Sequence, residues 1–167
     1  MKKNIFVACD FFNTSDAINL IEEIKTDLFG IKIGLQYVTS NGIEGIKALS
    51  KFNLPIMYDV KAFDIKNTMV AFSKSLKNLN VSYATVHLLN GEETLKDAVK
   101  EAGNVKLIGV SVLTSFSDDD IKKLGFSNSV QKQVEILVKI ASNSGLYGVV
   151  CSPMEVRMIK KIAPNLV

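Results

Sequence analysis

Asp59, Lys61 and Asp64 stand close together in Pro55-Ile56-Met57-Tyr58-Asp59-Val60-Lys61-Ala62-Phe63-Asp64-Ile65-Lys66-Asn67-Thr68. An ammonium beside carboxylates in apolar surroundings has two uses. It forms a structural ion pair, or it holds a proton and stabilises charge that develops in a reaction. Ile56–Val60 is a short apolar run entered through a proline, as expected of a parallel strand covered on both faces. Alternation along that strand puts Asp59 and Lys61 on one side. The carboxyl end of a parallel strand is where α/β folds build active sites. Asp64 immediately precedes a helical pattern, so it either caps that helix or joins the same constellation.

Other strand ends carry polar groups as well. Asp10 closes the run Ile5–Cys9, His87 stands near the end of Tyr83–Leu88, and Thr114 and Ser115 follow Val105–Val112. Taken singly, these are a loop cap, a satisfied core histidine and turn residues. Lys32 is different, because it lies between Ile31 and Ile33 and must point away from both. If the isoleucines face a helix layer, Lys32 faces the opposite side of the sheet.

Placing these residues requires a repeated βα pattern. Strands are expected at Ile5–Cys9, Ile31–Ile33, Ile56–Val60, Tyr83–Leu88, Val105–Val112 and Leu146–Cys151. Helices are expected after Ser15 or Asp16, over Gly42–Lys51 with Ile43, Ile46 and Leu49 inward, over Asn67–Asn78, over Glu92–Glu101 and over Val130–Ser142. A last helix is expected to start at Pro153, and Asn165-Leu166-Val167 reads as the start of a seventh strand. The acidic run Asp118-Asp119-Asp120 falls in a longer connection. Alternation of this kind demands a parallel sheet with right-handed crossovers, either an open doubly wound sheet or a (β/α)₈ barrel. No composition break divides residues 1–167, so one domain is expected.

Composition narrows the function classes. Twenty basic and 17 acidic residues give a net charge of only +3, too little to argue for nucleic-acid or membrane binding. No apolar run approaches the ~20 residues of a membrane helix. Met1-Lys2-Lys3-Asn4 leads straight into Ile5-Phe6-Val7-Ala8, which is short for the apolar region of a signal peptide. Cys9 and Cys151 read as free thiols in apolar runs, in keeping with a reducing cytoplasm. With one histidine, His87, a zinc site or a serine–histidine triad lacks partners.

The stretch Asp59-Val60-Lys61-Ala62-Phe63-Asp64 followed by Asn67-Thr68 resembles the Asp-x-Lys-x-x-Asp…Asn-Thr motif of the orotidine 5′-phosphate decarboxylase family. Asp10 after Val-Ala-Cys, Lys32 in Ile-Lys-Ile-Gly, Thr85-Val86-His87, Gly109–Ser115 and Gly148–Pro153 resemble other runs of that family. Phe63 and Lys66 stand where many members have histidine and proline. The resemblance implies a TIM (β/α)₈ barrel, of which about six units are present, and a cofactor-free decarboxylation of orotidine 5′-phosphate to uridine 5′-phosphate in pyrimidine biosynthesis. It implies Lys32, Asp59, Lys61 and Asp64 as catalytic residues, with Lys61 protonating C6, and Asp10, Thr68 and Thr114 as substrate-binding residues. No metal is implied. A homodimer is implied, with Asp64 and Thr68 reaching the neighbouring subunit's site.

Two rival readings follow. Magnesium-dependent sugar-phosphate enzymes of the same superfamily share Asp-x-Lys-x-x-Asp but carry a glutamate where Lys32 stands. A truncated, non-catalytic binding remnant is the other rival. On the base rate of eight units, one or two more βα units are expected after Val167, with the phosphate-binding loops that follow strands seven and eight.

Overall fold

The computed structural model describes residues 4–167; Met1, Lys2 and Lys3 lie outside the described residues. Among the described residues, β1 (Phe6–Ala8), β2 (Gly30–Gly34), β3 (Ile56–Ala62), β4 (Tyr83–His87), β5 (Lys106–Val110) and β6 (Gly148–Val150) form one parallel sheet. Their spatial order is their chain order. A doubly wound sheet reverses direction at a switch point, and this one does not. Successive right-handed crossovers that all advance the same way put every helix on one face and curl the sheet around the other. The architecture is therefore a part of a (β/α) barrel.

The helices are α1 (Thr14–Ile24), α2 (Leu35–Ser50), α3 (Lys66–Ser75), α4 (Glu92–Ala102), α5 (Asp118–Lys123), α6 (Val130–Asn143) and α7 (Val156–Ile162). Helix-facing strand residues such as Ile31, Ile33, Ala84 and Val86 are fully buried. They pack with Ile21 of α1, Ile46 and Leu49 of α2, Leu95 of α4 and Val134 and Val138 of α6 in one core. No helix among the described residues is long and apolar enough to cross a membrane.

Several boundaries differ from the sequence expectation, each for a local reason. Asn13, rather than Ser15 or Asp16, caps α1: its Oδ1 accepts the Asp16 N–H at 2.9 Å. Helix α2 begins seven residues early, directly after β2. It kinks at Gly42, whose φ of 58° only glycine adopts freely. The apolar repeat starts after that kink, so it marked only the second segment. The first segment is anchored by buried Tyr37, whose hydroxyl donates to the Gly45 carbonyl at 3.1 Å. Ile43, expected inward, is 55% exposed beside the kink.

The acidic run after β5 is a helix, not a connection. Ser117 and Asp120 form a reciprocal capping box, and the three aspartates sit in the first turn of α5, where the helix dipole favours negative charge. Pro153 lies in a turn ahead of α7 rather than in its first turn. Val167 sits alongside β6, its N–H donating to the Tyr147 carbonyl at 3.1 Å and its carbonyl accepting the Val149 N–H at 2.9 Å. Bonds to two residues spaced i−1 and i+1 on the neighbour are the parallel-strand pattern.

The floor of the curled interior is aromatic. Phe6 meets Phe29 and Tyr83 edge-on at 5.2 and 5.6 Å between ring centroids. The Lys106 ammonium lies 4.4 Å from the Tyr147 ring and 5.3 Å from the Tyr83 ring. A cation over such faces is held electrostatically. With the amino-terminal end of the sheet so filled, the charged residues at the other end stand above a packed layer.

Candidate active site

Four of the residues singled out from sequence converge at the carboxyl ends of β1, β2 and β3. Lys32 lies on the face opposite Ile31 and Ile33, which are fully buried, and Gly34 pairs in register with Asp59. The Lys32 ammonium is 3.7 Å from Asp10 Oδ1 and 3.6 Å from Asp59 Oδ2. The Lys61 ammonium is 3.0 Å from both oxygens of Asp59. The result is a line of alternating charge, Asp10–Lys32–Asp59–Lys61. Asp59, in the middle, is the most enclosed, with a side chain 14% exposed. A charge so enclosed calls for ion partners, and Lys32 and Lys61 supply them.

Gly34 makes room for this line. A Cβ there would lie 3.2 Å from Asp10 Oδ1 and 3.8 Å from the Lys32 ammonium. Beside Asp10, burial pushes the Cys9 thiol up to about 11, with the Asp10 charge adding to the shift. The thiol is therefore protonated at neutral pH and unfit as a nucleophile.

Asp59 and Lys61 meet through a distortion rather than through simple strand alternation. Tyr58 pairs with Ala84 and Ala62 with Val86, so four steps along β3 match two along β4. The surplus residues form a bulge, and within it Lys61 adopts a φ of +51°. The other non-glycine residues with positive φ among those described are asparagines, which tolerate it far better. Bulges commonly re-aim side chains next to active sites.

Two residues that the sequence reading did not assign hold the bulge. Thr85 of β4, fully buried, donates from its hydroxyl to Asp59 Oδ1 at 2.9 Å and accepts the Lys61 N–H at 2.9 Å. Asn90 clasps the following loop. Its Nδ2 donates to the Ala62 and His87 carbonyls at 2.9 and 2.8 Å, and its Oδ1 accepts the Asp64 N–H at 3.2 Å. The one available signal for Thr85 was a hydroxyl in an otherwise apolar buried strand, which must find a partner.

The remaining sequence candidates lie elsewhere. Asp64 is exposed, and its carboxylate accepts the neighbouring Ile65 N–H at 2.7 Å. It does not cap α3, whose N-cap is Ile65 with no side-chain bond. Thr68 is exposed on the first turn of α3. Thr114 is exposed in the loop after β5, on the wall of a cavity of about 510 Å³ shared with Ser152 and Glu155. His87 accepts the Leu89 N–H at its Nδ1, 3.3 Å away, which places the proton of the neutral ring on Nε2. Burial lowers its pKa and keeps it neutral.

Comparison with known proteins gives a consistent result. The sequence profile described as "Orotidine 5'-phosphate decarboxylase / HUMPS family" matches residues 3–167. A protein of Ehrlichia canis named orotidine 5′-phosphate decarboxylase is 35% identical over 158 residues, covering 93% of this chain and 69% of its own length. One of Paramagnetospirillum magneticum with the same name is 35% identical over 167 residues, covering 95% of this chain and 71% of its own length. The solved orotidine 5′-phosphate decarboxylase of Lactobacillus acidophilus superposes with a TM-score of 0.90 at 32% identity, over 99% of this chain and 79% of that one. That of Methanocaldococcus jannaschii, solved in complex with the inhibitor BMP, gives 0.81 at 25% identity, over 96% and 73%. The chain belongs to the orotidine 5′-phosphate decarboxylase / HUMPS family.

Proposed function

We propose that the protein decarboxylates orotidine 5′-phosphate to uridine 5′-phosphate, without a cofactor, in de novo pyrimidine synthesis. The observation that carries this reading is the unbroken line Asp10–Lys32–Asp59–Lys61, with Lys32 between two carboxylates. In the reaction the C6–carboxylate bond breaks, CO₂ leaves, and the electron pair stays on C6. The Lys61 ammonium gives C6 its proton, and the lysine recovers one from water. Lys32 and Lys61 stabilise the negative charge at C6 as fixed cations that need no reorganisation. Asp59 holds both ammoniums in place, and Asp10 is left to bond the ribose hydroxyls. Thr114 binds the pyrimidine edge.

The magnesium-dependent enzymes of the same superfamily carry a glutamate where Lys32 stands, and a lysine there cannot ligate the ion. Here the Lys32 ammonium occupies the ground between the Asp10 and Asp59 carboxylates. The test is turnover of orotidine 5′-phosphate with a strong chelator present. Formation of uridine 5′-phosphate at an undiminished rate is expected. Activity that vanishes with chelator and returns with magnesium would favour the metal-dependent reading.

The proposed working unit is a cytoplasmic homodimer in which Asp64 and Thr68 serve the neighbouring subunit's site. Asp64 lies between Phe63 and Ile65, which are 60% and 73% exposed. The Phe63 ring stands 5.8 Å from the ring of His87, and His87 shares a cavity wall with Leu89 and Leu124, which are also exposed. An apolar surface of this kind around an acid with no partner cation among the described residues suits an interface that brings the cation. Residues 1–167 are proposed to act as one barrel domain.

A further inference from the structure

We propose that Thr85 is the positioning residue of the charged line, acting on Asp59 and Lys61 together through one hydroxyl. The inference rests on the decarboxylase reading for its catalytic consequence, though not for its structural part. Thr85 sits on β4 at the inward-facing position that pairs with Ile108 of β5. It has no exposed surface. Its hydroxyl has one proton to give and gives it to Asp59 Oδ1; it has lone pairs to offer and offers one to the Lys61 N–H. Both contacts are 2.9 Å.

The geometry explains why a hydroxyl is needed at this place. The bulge removes the backbone pairing of residues 59–61 with β4, so the Lys61 N–H, turned by the positive φ, has lost its usual ladder acceptor. A buried N–H without an acceptor is costly, and Thr85 Oγ supplies one. The same oxygen's proton fixes the rotation of the Asp59 carboxylate, and with it the oxygen that faces each lysine. A methyl in place of the hydroxyl would keep the volume, free the Lys61 backbone and let the carboxylate turn. Misplacement of reacting groups by about 1 Å costs up to ~10²-fold in rate.

The experiment compares Thr85→Val and Thr85→Ser with the parent protein, by steady-state kinetics and by amide hydrogen exchange. For the valine variant we expect kcat to fall about 10- to 100-fold while KM changes by less than about threefold, since Thr85 has no exposed surface to offer a substrate. We expect the Lys61 amide to exchange faster while the amides of Ile31 and Ile33 stay protected. The serine variant, which keeps the oxygen, is expected to restore both. A valine variant with parental kcat and a protected Lys61 amide overturns the proposal, as does a serine variant as impaired as the valine one. If the valine variant does not fold, Thr85→Cys replaces it: reduced kcat with a fast Lys61 amide supports the proposal, and parental behaviour in both overturns it. A parent protein without decarboxylase activity would defeat the functional reading alone, because the exchange measurement still judges the hold of Thr85 on the bulge.

Discussion

Lys61→Ala is expected to lower turnover of orotidine 5′-phosphate by at least about 10³-fold while the protein stays folded. Two contributions are lost together: the proton donor, worth ~10²–10⁴-fold by itself, and a preorganised cation beside the carbon that becomes negative. Stability should change little. The Lys61 side chain is 40% exposed and lines no part of the core, and Asp59 keeps Lys32 as a counter-ion at 3.6 Å. The bond from the residue 61 N–H to Thr85 also survives, because it belongs to the backbone. Loss of orotidine 5′-phosphate absorbance gives the rate, and a thermal melt checks the fold. Turnover within tenfold of the parent would remove Lys61 from the role of proton donor.

Mixing Lys61→Ala with Asp64→Ala protein should restore activity that neither has alone. Each variant lacks one half of a site if Asp64 crosses the subunit boundary. In a hybrid dimer, one site then takes Lys61 from one chain and Asp64 from the other, while the second site lacks both. Random exchange makes half of the dimers hybrid, so roughly a quarter of all sites recover under two-fold symmetry. The structure motivates the cross, because within one chain the Asp64 carboxylate is exposed and bonded to its neighbour's N–H. Subunit exchange is verified separately with differently tagged chains. Proven exchange with no recovered turnover would assign Asp64 to its own subunit.

Much of the fold was legible because parallel strands buried on both faces read as apolar runs at regular intervals. What escaped were features set by single residues. The early start of α2 depends on one anchoring tyrosine, Tyr37, ahead of a glycine kink. Helix α5 is specified by its cap, not by an apolar repeat, so three aspartates looked like a loop. The choice between open sheet and barrel could not come from strand positions alone. It needed the spatial order, which runs without reversal from β1 to β6.

The site was legible in its charges and not in its supports. Lys32 between two isoleucines pointed to the inner face, and that is where it lies. Asp59 and Lys61 were expected to share a side by alternation. They do meet, but through a bulge that alternation does not describe. Thr85 was named only within an expected strand and a family-like run, and Asn90 was given no role. Their roles depend on which strand lies alongside β3, a fact of tertiary pairing that local sequence does not carry.

The most direct measurement is a crystal structure of the protein, expressed from its whole open reading frame, with uridine 5′-phosphate bound. Pyrimidine C6 is expected within about 3.5 Å of the Lys61 ammonium, the spacing of atoms poised to react, with the ribose hydroxyls at Asp10. A nucleotide seated away from that line, for instance in the cavity of about 210 Å³ walled by His87, Leu89 and Leu124, would contradict this expectation.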